Sequence, residues 1–90
     1  PRLLCPGCGC QYLHHGEINA FSREEDKENG AHTRIQAGGG VVVKKDVTNA
    51  AGNPSGRRHG LTIKFECEQC DEKPRLCISQ HKGTTEIYWE

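Results

Sequence analysis

Two cysteine pairs constrain this chain more than any other feature of its sequence. Cys5 and Cys8 form one CxxC motif near the start of the 90 residues, and Cys67 and Cys70 form another near the end. Each motif can fold into a tight turn that directs both sulfur atoms to one point, at about 2.3 Å from a zinc ion. The intervening 58 residues do not prevent this, because loop-closure cost rises by only about 0.6 kcal/mol per doubling of length. The spacing therefore predicts one tetrahedral Zn²⁺ site, which ties the two ends of the chain together.

The composition shows why such a cross-link is needed. Hydrophobic residues make up 33% of the sequence, with one Trp and no Met, against 11 Gly and 27% charged residues. A single domain of this length buries only about 60 to 65% of its unfolded surface, so its hydrophobic core is thin. A bound metal ion would supply stability that so few apolar side chains cannot.

Other interpretations of the cysteines stay open. The string CPGC also resembles the dithiol of thioredoxin-like oxidoreductases, but those thiols begin a helix, whereas Gly9, Cys10 and Gln11 are poor helix starters. A disulfide framework has 15 possible pairings for six cysteines. No signal-like apolar segment begins the printed sequence, so we expect a cytoplasmic protein with reduced thiols. Iron accepts the same four thiolates as zinc.

The residues beside the motifs refine this interpretation. Gly7 and especially Gly9 can take positive φ, which lets backbone N–H groups point at the thiolates. Cys10 and Cys77 complete no comparable spacing, and we interpret them as small buried hydrophobic side chains. The alternatives are that one of them replaces a CxxC cysteine, or that the two lie together once the motifs meet.

Strands are predicted along most of the chain, and no convincing helix is. A strand is expected within 11–23, a tight turn at 28–30, and within 33–46 either two short strands or one strand broken at the glycine triplet 38–40. A flexible loop is expected around 47–60, where Asn, Gly, Pro and Ser are concentrated. A hairpin is expected over 75–90.

The segment 61–67 alternates in polarity as a half-buried strand should. Its predicted buried face carries Leu61, Ile63 and Phe65, and its predicted solvent face carries Thr62, Lys64 and Glu66. The hairpin that follows is expected to add Leu76, Ile78, Ile87 and Trp89 to the core. The chain is thus expected to form an antiparallel sheet built around two zinc knuckles.

Three strings carry a resemblance to a known group of proteins. CPGCGCQYLHH, NPSGRRHGLTIKFECEQC and ISQHKGTTEIYW resemble the short uncharacterised zinc-ribbon proteins of bacteria and their phages, over most of the chain. The resemblance implies a ribbon-like β fold with Cys5, Cys8, Cys67 and Cys70 as ligands, and it brings no established activity. Cys10 and the second motif, which lacks a following glycine, depart from the ribbon pattern. The expected fold is one mostly β, small antiparallel zinc-ribbon-like domain over 1–90, with two CxxC knuckles and little or no helix.

An enzyme is not expected from this sequence. A shell of four cysteines leaves no coordination position for a water molecule. His14 and His15 are adjacent, so on a strand they point to opposite faces and cannot serve one site. Glu17 would share a face with His15, yet no nucleophile stands at a matching spacing. No catalytic residue is therefore assigned.

Nucleic-acid binding is the leading functional prediction, and it depends on a local patch. Twelve basic and twelve acidic residues give a formal charge of zero, so the chain as a whole has no attraction for phosphate. The basic turn RRHG at 57–60 can form a patch, since each phosphate contact releases counterions. The candidate residues are Arg57, Arg58, His59, Lys44, Lys45 and Lys64. The competing interpretation is an ordinary solvated loop.

A protein-interaction adaptor is the alternative function. Zinc-ribbon scaffolds offer sheet edges and loops, and here the aromatic residues Tyr88 and Trp89 lie near the end of the sequence. A homodimer formed by edge pairing belongs to the same class. No membrane partner is expected, because the longest aliphatic run is Val41 to Val43, far short of the roughly 20 residues of a membrane-spanning helix.

Overall fold

The computed structural model describes residues 1–24, 27–48, 52–56 and 58–90. Within them the chain forms one antiparallel sheet of six strands and no helix, which confirms the predicted small, mostly β class. The strands are β1 (Leu13–Ser22), β2 (Asn29–Ile35), β3 (Val41–Thr48), β4 (Gly60–Cys67), β5 (Arg75–His81) and β6 (Thr84–Trp89). This part of the chain contains no helix that is long and apolar enough to cross a membrane.

The strand order β3-β2-β1-β4-β5-β6 divides the sheet into two halves. Within each half, strands that are consecutive in sequence pair as hairpins. Only the pairing of β1 with β4 joins strands that are distant in sequence, with Leu13 opposite Cys67 and Phe21 opposite Gly60. This one ladder therefore connects the N-terminal and C-terminal parts of the domain.

Glycines set the turns that separate the strands. The triplet 38–40 lies between two strands rather than inside one: Gly39 has φ 94°, and Gln36 N donates to Gly40 O at 2.7 Å. The hairpin of β5 and β6 is confirmed, with Lys82 and Gly83 both at positive φ, as a two-residue turn between twisted strands requires.

The predicted tight turn at 28–30 is wrong. Asn29 and Gly30 begin β2, and Gly30 pairs with Val47. A Cβ atom at Gly30 would collide with Ser22 O and lie 3.2 Å from Arg23 Cα. The glycine is therefore needed for the close approach of the end of β1, rather than for a turn.

The strand register separates two faces of the sheet, because residues paired across antiparallel strands share a face. We call one of them the apolar face, and it carries two rows that cross all six strands. The first row is Val41, Ile35, Ile18, Ile63, Leu76 and Trp89, and the second is Val43, Thr33, Ala20, Leu61, Ile78 and Ile87. We call the other the polar face, and Arg34, Asn19, Thr62, Cys77 and Tyr88 form one row on it.

The most buried side chains lie on the polar face, contrary to the prediction for β4. Thr62 was expected on the solvent side, but it is 1% exposed, and Cys77 beside it is fully buried. Residues 53–55 cross this face near the start of β4. Ser55 Oγ donates to Gln80 O at 3.0 Å, and Ser79 Oγ donates to Pro54 O at 3.5 Å.

The apolar face is less buried than expected. Leu76 is 8% exposed, in agreement with its predicted place in the core, but Ile87 is 64% exposed. Ile87 lies on the edge strand β6, and strand-to-strand contacts are made only between neighbours within the sheet. No strand of the described chain therefore packs over this face.

The predicted alignment of Glu17 with His15 is also wrong. A register shift between His15 and Ile18 inserts one extra residue in β1, a β-bulge. Glu17 consequently lies on the polar face, where Lys64 Nζ approaches its Oε2 at 3.1 Å and Asn19 Nδ2 donates to the same atom at 3.0 Å. These groups lower the pKa of the Glu17 carboxyl, with the Asn19 hydrogen bond the largest cause.

Two glycine substitutions test how residues 53–55 are seated on the sheet. A Cβ atom at Gly60 would collide with Asn53 Oδ1 and lie 2.7 Å from Pro54 Cδ, whereas one at Gly38 would meet nothing within 4 Å. We expect Gly60→Ala to lower the free energy of unfolding by about 1 to 3 kcal/mol, and Gly38→Ala to change it by less than about 0.5 kcal/mol. Chemical denaturation of both variants measures these free energies. Equal stabilities would contradict the close contact of residues 53–55 with Gly60.

Candidate metal centre

The pairing of β1 with β4 brings the two CxxC motifs to one end of the sheet. The first motif lies just before β1, and the second begins at the last residue of β4, so antiparallel pairing places them side by side. Cys5 Sγ lies 3.8 Å from Cys70 Sγ, and Cys8 Sγ lies 3.5 Å from Cys67 Sγ. All four sulfur atoms lie within 4.8 Å of one another. A tetrahedron with arms of about 2.3 Å has edges of about 3.8 Å, so the four sulfur atoms could hold one metal ion.

The two knuckles, residues 5–10 and 67–72, close with the same backbone hydrogen bond. Cys5 N donates to Cys10 O at 2.8 Å, and Cys67 N donates to Glu72 O at 3.4 Å, which is the same separation of five residues. Gly9 takes φ 79° in the first knuckle, as expected, whereas the second knuckle contains no residue at positive φ. The two motifs thus form related turns although only one has the glycine.

Backbone N–H groups also point at the sulfur atoms. Gly7 N donates to Cys5 Sγ and Gln69 N donates to Cys67 Sγ, each at 3.4 Å. Gly7 does not take the positive φ that its sequence position suggested. Its Cβ would instead lie 2.6 Å from Glu72 Cγ, so glycine is needed here because the second knuckle lies so close.

The thiol pKa values show that the four adjacent cysteines cannot all lose their protons easily unless a cation lies among them. Burial raises the pKa of Cys67, but the N–H of Gln69 and the neighbouring thiols lower it to about 6. The N–H of Glu72 favours the Cys70 thiolate, yet burial and the side-chain hydrogen bonds with the other three thiols raise the pKa of Cys70 to about 12. The pKa of Cys8 is also raised. A cation among the sulfur atoms would remove this conflict, because it favours the thiolate form of each.

The two remaining cysteines lie outside this four-sulfur cluster. Cys77 is fully buried and donates to Glu90 Oε2 at 3.2 Å, and burial together with Glu90 raises its pKa to about 11. Its interpretation as a small buried side chain is therefore confirmed. Cys10 is only half-buried, and its Sγ accepts a hydrogen bond from Tyr12 N at 3.1 Å.

The adjacent histidines point to opposite faces of β1, as expected. His14 is opposite Glu66 in the register and His15 is opposite Phe65. His14 Nε2 lies 3.3 Å from Glu68 Oε1, with both side chains exposed. Both histidine residues nevertheless line one open cleft of about 290 Å³.

The basic residues singled out from the sequence fall in separate places. Lys44 and Lys45 lie in the edge strand β3, three strand positions or about 14 Å from β4. Lys64, in β4, is paired with Glu17. Arg57 lies outside the described residues, and Arg58 and His59 come together at the other end of the sheet from the metal centre.

Arg58 and His59 line an open cleft of about 370 Å³ with Arg23, Glu24 and Gln80, which we call the Arg23 cleft. Arg23 is only 8% exposed, and its buried Nε and Nη2 atoms have no hydrogen-bond partner in the part of the chain that the structure describes. Its backbone N–H donates to His59 Nδ1 at 2.9 Å, so the neutral His59 ring carries its proton on Nε2. The cleft thus has a buried guanidinium with unused donors.

Sequence reasoning missed Arg23 because it is 36 positions before His59. Its only sequence signal is a basic residue at the end of a predicted strand segment, which is usually solvated surface. It reaches His59 because β1 ends where β4 begins, with Phe21 opposite Gly60. Only the long-range pairing of β1 with β4 makes this neighbourhood visible.

Comparison of the chain with protein-family models, curated proteins and solved structures finds no match. The resemblance to short zinc-ribbon proteins therefore stays a proposal. What the structure itself supplies is an antiparallel sheet with four cysteine sulfur atoms gathered at one end. That arrangement is consistent with a zinc-ribbon-like fold.

Matched cysteine substitutions test the metal centre. Cys8→Ser removes one of the four sulfur atoms, whereas Cys10→Ser removes a sulfur outside the cluster only two residues away. We expect Cys8→Ser to lose the bound ion and Cys10→Ser to retain it, as measured by metal analysis after dialysis against a weak chelator. If the ion contributes even about 3 kcal/mol, its loss lowers the Tm by roughly 12 to 24 °C. Equal metal contents in the two variants would contradict the assignment.

Proposed function

We propose that this protein is a non-enzymatic, zinc-stabilised module that binds nucleic acid, with a phosphate group held in the Arg23 cleft. The observation that carries the proposal is the buried guanidinium of Arg23 beside the basic residues Arg58 and His59, with its Nε and Nη2 atoms lacking a hydrogen-bond partner among the described residues. An unpaired charge held away from water is costly to a small domain. A phosphate would offset that cost by accepting charge-assisted hydrogen bonds from the guanidinium.

Zinc is the ion that best suits the four-cysteine cluster. Thiolates are soft ligands, and a set of four at the corners of a tetrahedron is the usual structural zinc site. Such a site stabilises the fold directly, because the ion binds the folded arrangement and has no preformed site in the unfolded chain. Metal analysis of the purified protein, with a visible spectrum, distinguishes colourless zinc from coloured iron.

A structural role for the ion also supports a function without catalysis. Four cysteine ligands complete the tetrahedral shell, so no position is left for an activated water molecule. The thiols with strongly lowered and strongly raised pKa values, Cys67 and Cys70, belong to this same four-cysteine cluster. Binding is therefore the proposed role, and the ion holds the scaffold that presents the binding residues.

The surroundings of the Arg23 cleft set the kind of ligand it can take. Glu24 also lines the cleft, but Lys27 Nζ pairs with its Oε2 at 2.8 Å. That hydrogen bond lowers the Glu24 pKa and offsets its negative charge. Because the whole chain has a formal charge of zero, attraction for a nucleic acid has to come from such a local site. A site that contacts only a few phosphates, and no base edges, is expected to bind nucleic acid weakly, without sequence preference and with a strong dependence on salt.

A salt series with short DNA and RNA tests the proposal. We expect measurable affinity at about 50 mM salt that weakens steeply at about 200 mM, since bound phosphates release counterions. The double variant Arg57→Ala, Arg58→Ala should weaken binding and reduce the salt slope by about 0.7 to 0.9 per lost contact. Lys73→Ala with Lys82→Ala is the matched control, because it removes two exposed charges elsewhere. No affinity at low salt, or equal losses in both double variants, would remove the proposal.

Arg23 allows a sharper measurement, because function and stability should move in opposite directions. Arg23→Met removes a buried charge without removing the backbone N–H that bonds His59. We expect the variant to bind oligonucleotides at least about tenfold more weakly, the range for one charge-assisted contact, and to melt no lower than the wild type. Unchanged binding together with a lower Tm would identify Arg23 as a structural residue instead.

A protein-interaction adaptor is the second candidate, and a different observation favours it. The apolar face carries four large side chains that are more than 40% exposed, namely Ile35, Val41, Val43 and Ile87. Exposed apolar patches of this kind mark interaction surfaces more often than nucleic-acid sites. If the oligonucleotide experiment fails, this candidate takes its place.

A further inference from the structure

The apolar face is the largest feature of the fold that the proposed function does not use. Its two rows cross all six strands, and eleven of its twelve side chains are apolar, Thr33 being the exception. None of the twelve positions carries Lys, Arg, Asp or Glu. A face from which charge is absent over six strands is suited to contact with another apolar surface.

Exposure is greatest at the two ends of this face. Val41 and Val43 on β3 are 61% and 55% exposed, and Ile87 on β6 is 64% exposed. Between them, Ile18 and Ile63 are half-buried. A sheet with one hydrophobic face is stable when that face is packed against a second layer, and no strand of the described chain supplies one.

From this we infer that the apolar face is the contact surface of a homodimer, in which a second copy of this chain packs its own apolar face against the first as a two-sheet sandwich. The two longer extents of the molecule, 41 and 30 Å, bound a face of about 1,200 Å². A standard stable interface takes about 800 Å² from each partner, which fits within that bound. A second copy related by a two-fold axis presents an apolar face of the same size as the one it covers.

Charge supports a second copy in particular. In a two-fold dimer the same surface of both copies forms the interface, so a net charge on that surface would face an equal charge on the other copy and be repelled by it. The apolar face avoids that cost because its twelve positions are uncharged, whereas the polar face concentrates charged residues such as Glu17, Arg34 and Lys64. Self-association through the polar face would bring like charges together.

The edge strand β3 argues for face packing over edge pairing. It carries Lys44, Lys45 and Asp46 in succession, and Asp46 takes φ 53° at a point where the register shifts. Charged residues and a bulge on an edge strand oppose addition of a further strand. A homodimer formed by edge pairing of β3 is therefore less favoured than one formed through the apolar face. This inference does not depend on nucleic-acid binding, since the Arg23 cleft lies at the end of the sheet.

Neighbouring valines provide a matched test. Val43 lies on the apolar face, and Val42 beside it lies on the polar face opposite Arg34. Sedimentation of the metal-loaded protein from about 1 to about 200 µM should show the wild type and Val42→Asp as dimers. Val43→Asp should raise the dimer Kd on the order of 100-fold, because each dimer would bury the new charge twice. Ile87→Asp, on the opposite edge strand, should have the same effect.

Folding and docking mode are measured on the same samples. Val43 and Ile87 are more than half exposed, so both variants should keep the wild-type circular dichroism and metal content. Amide exchange should show no added protection of β3 or β6 on dimerisation. A monomeric wild type, equal dissociation of Val42→Asp and Val43→Asp, or new protection along an edge strand would overturn the inference. Loss of oligonucleotide binding alone would not.

Discussion

The antiparallel pairing of β1 with β4 is the interaction on which the rest of this structure depends. It is the only ladder between the two halves of the sheet, and its ends create both candidate sites. At one end, Leu13 opposite Cys67 brings the knuckles together. At the other, Phe21 opposite Gly60 brings Arg23 to His59. A metal ion at the first end would close the loop between the motifs and so favour the register that forms the second.

The domain has a single sheet, and different interactions stabilise its two faces and the end that carries the cysteines. On the polar face, residues 53–55 lie over Gly60 and Ser79, and Thr62 and Cys77 are buried there. No strand of the described chain covers the apolar face. The four-sulfur cluster adds a cross-link where the chain has few large apolar side chains to offer. A second copy on the apolar face would complete the layered arrangement that β domains of this size normally need.

The proposed roles occupy different parts of the molecule and place different demands on it. The metal centre needs four thiolates held by backbone N–H groups, which the two related knuckles provide. The Arg23 cleft keeps a buried cation without a full set of partners, a cost that binding residues commonly impose on stability. The apolar face needs only the absence of charge. The three regions share no residue, so a substitution in one of them removes no side chain from the other two.

Local patterns in the sequence determined the strands, the hairpin turn at Lys82 and Gly83 and the two cysteine motifs, because alternation, turn residues and CxxC spacing act within a few positions. The meeting of the two motifs was also predictable, since a four-thiolate site has a strong spacing signature. Tertiary structure alone decided that Thr62 is buried, that Glu17 leaves the face of His15, and that Arg23 joins the basic turn. Each of these depends on a bulge, a crossing segment or a long-range register, and such features arise from contacts between residues far apart in the chain, which no local pattern records.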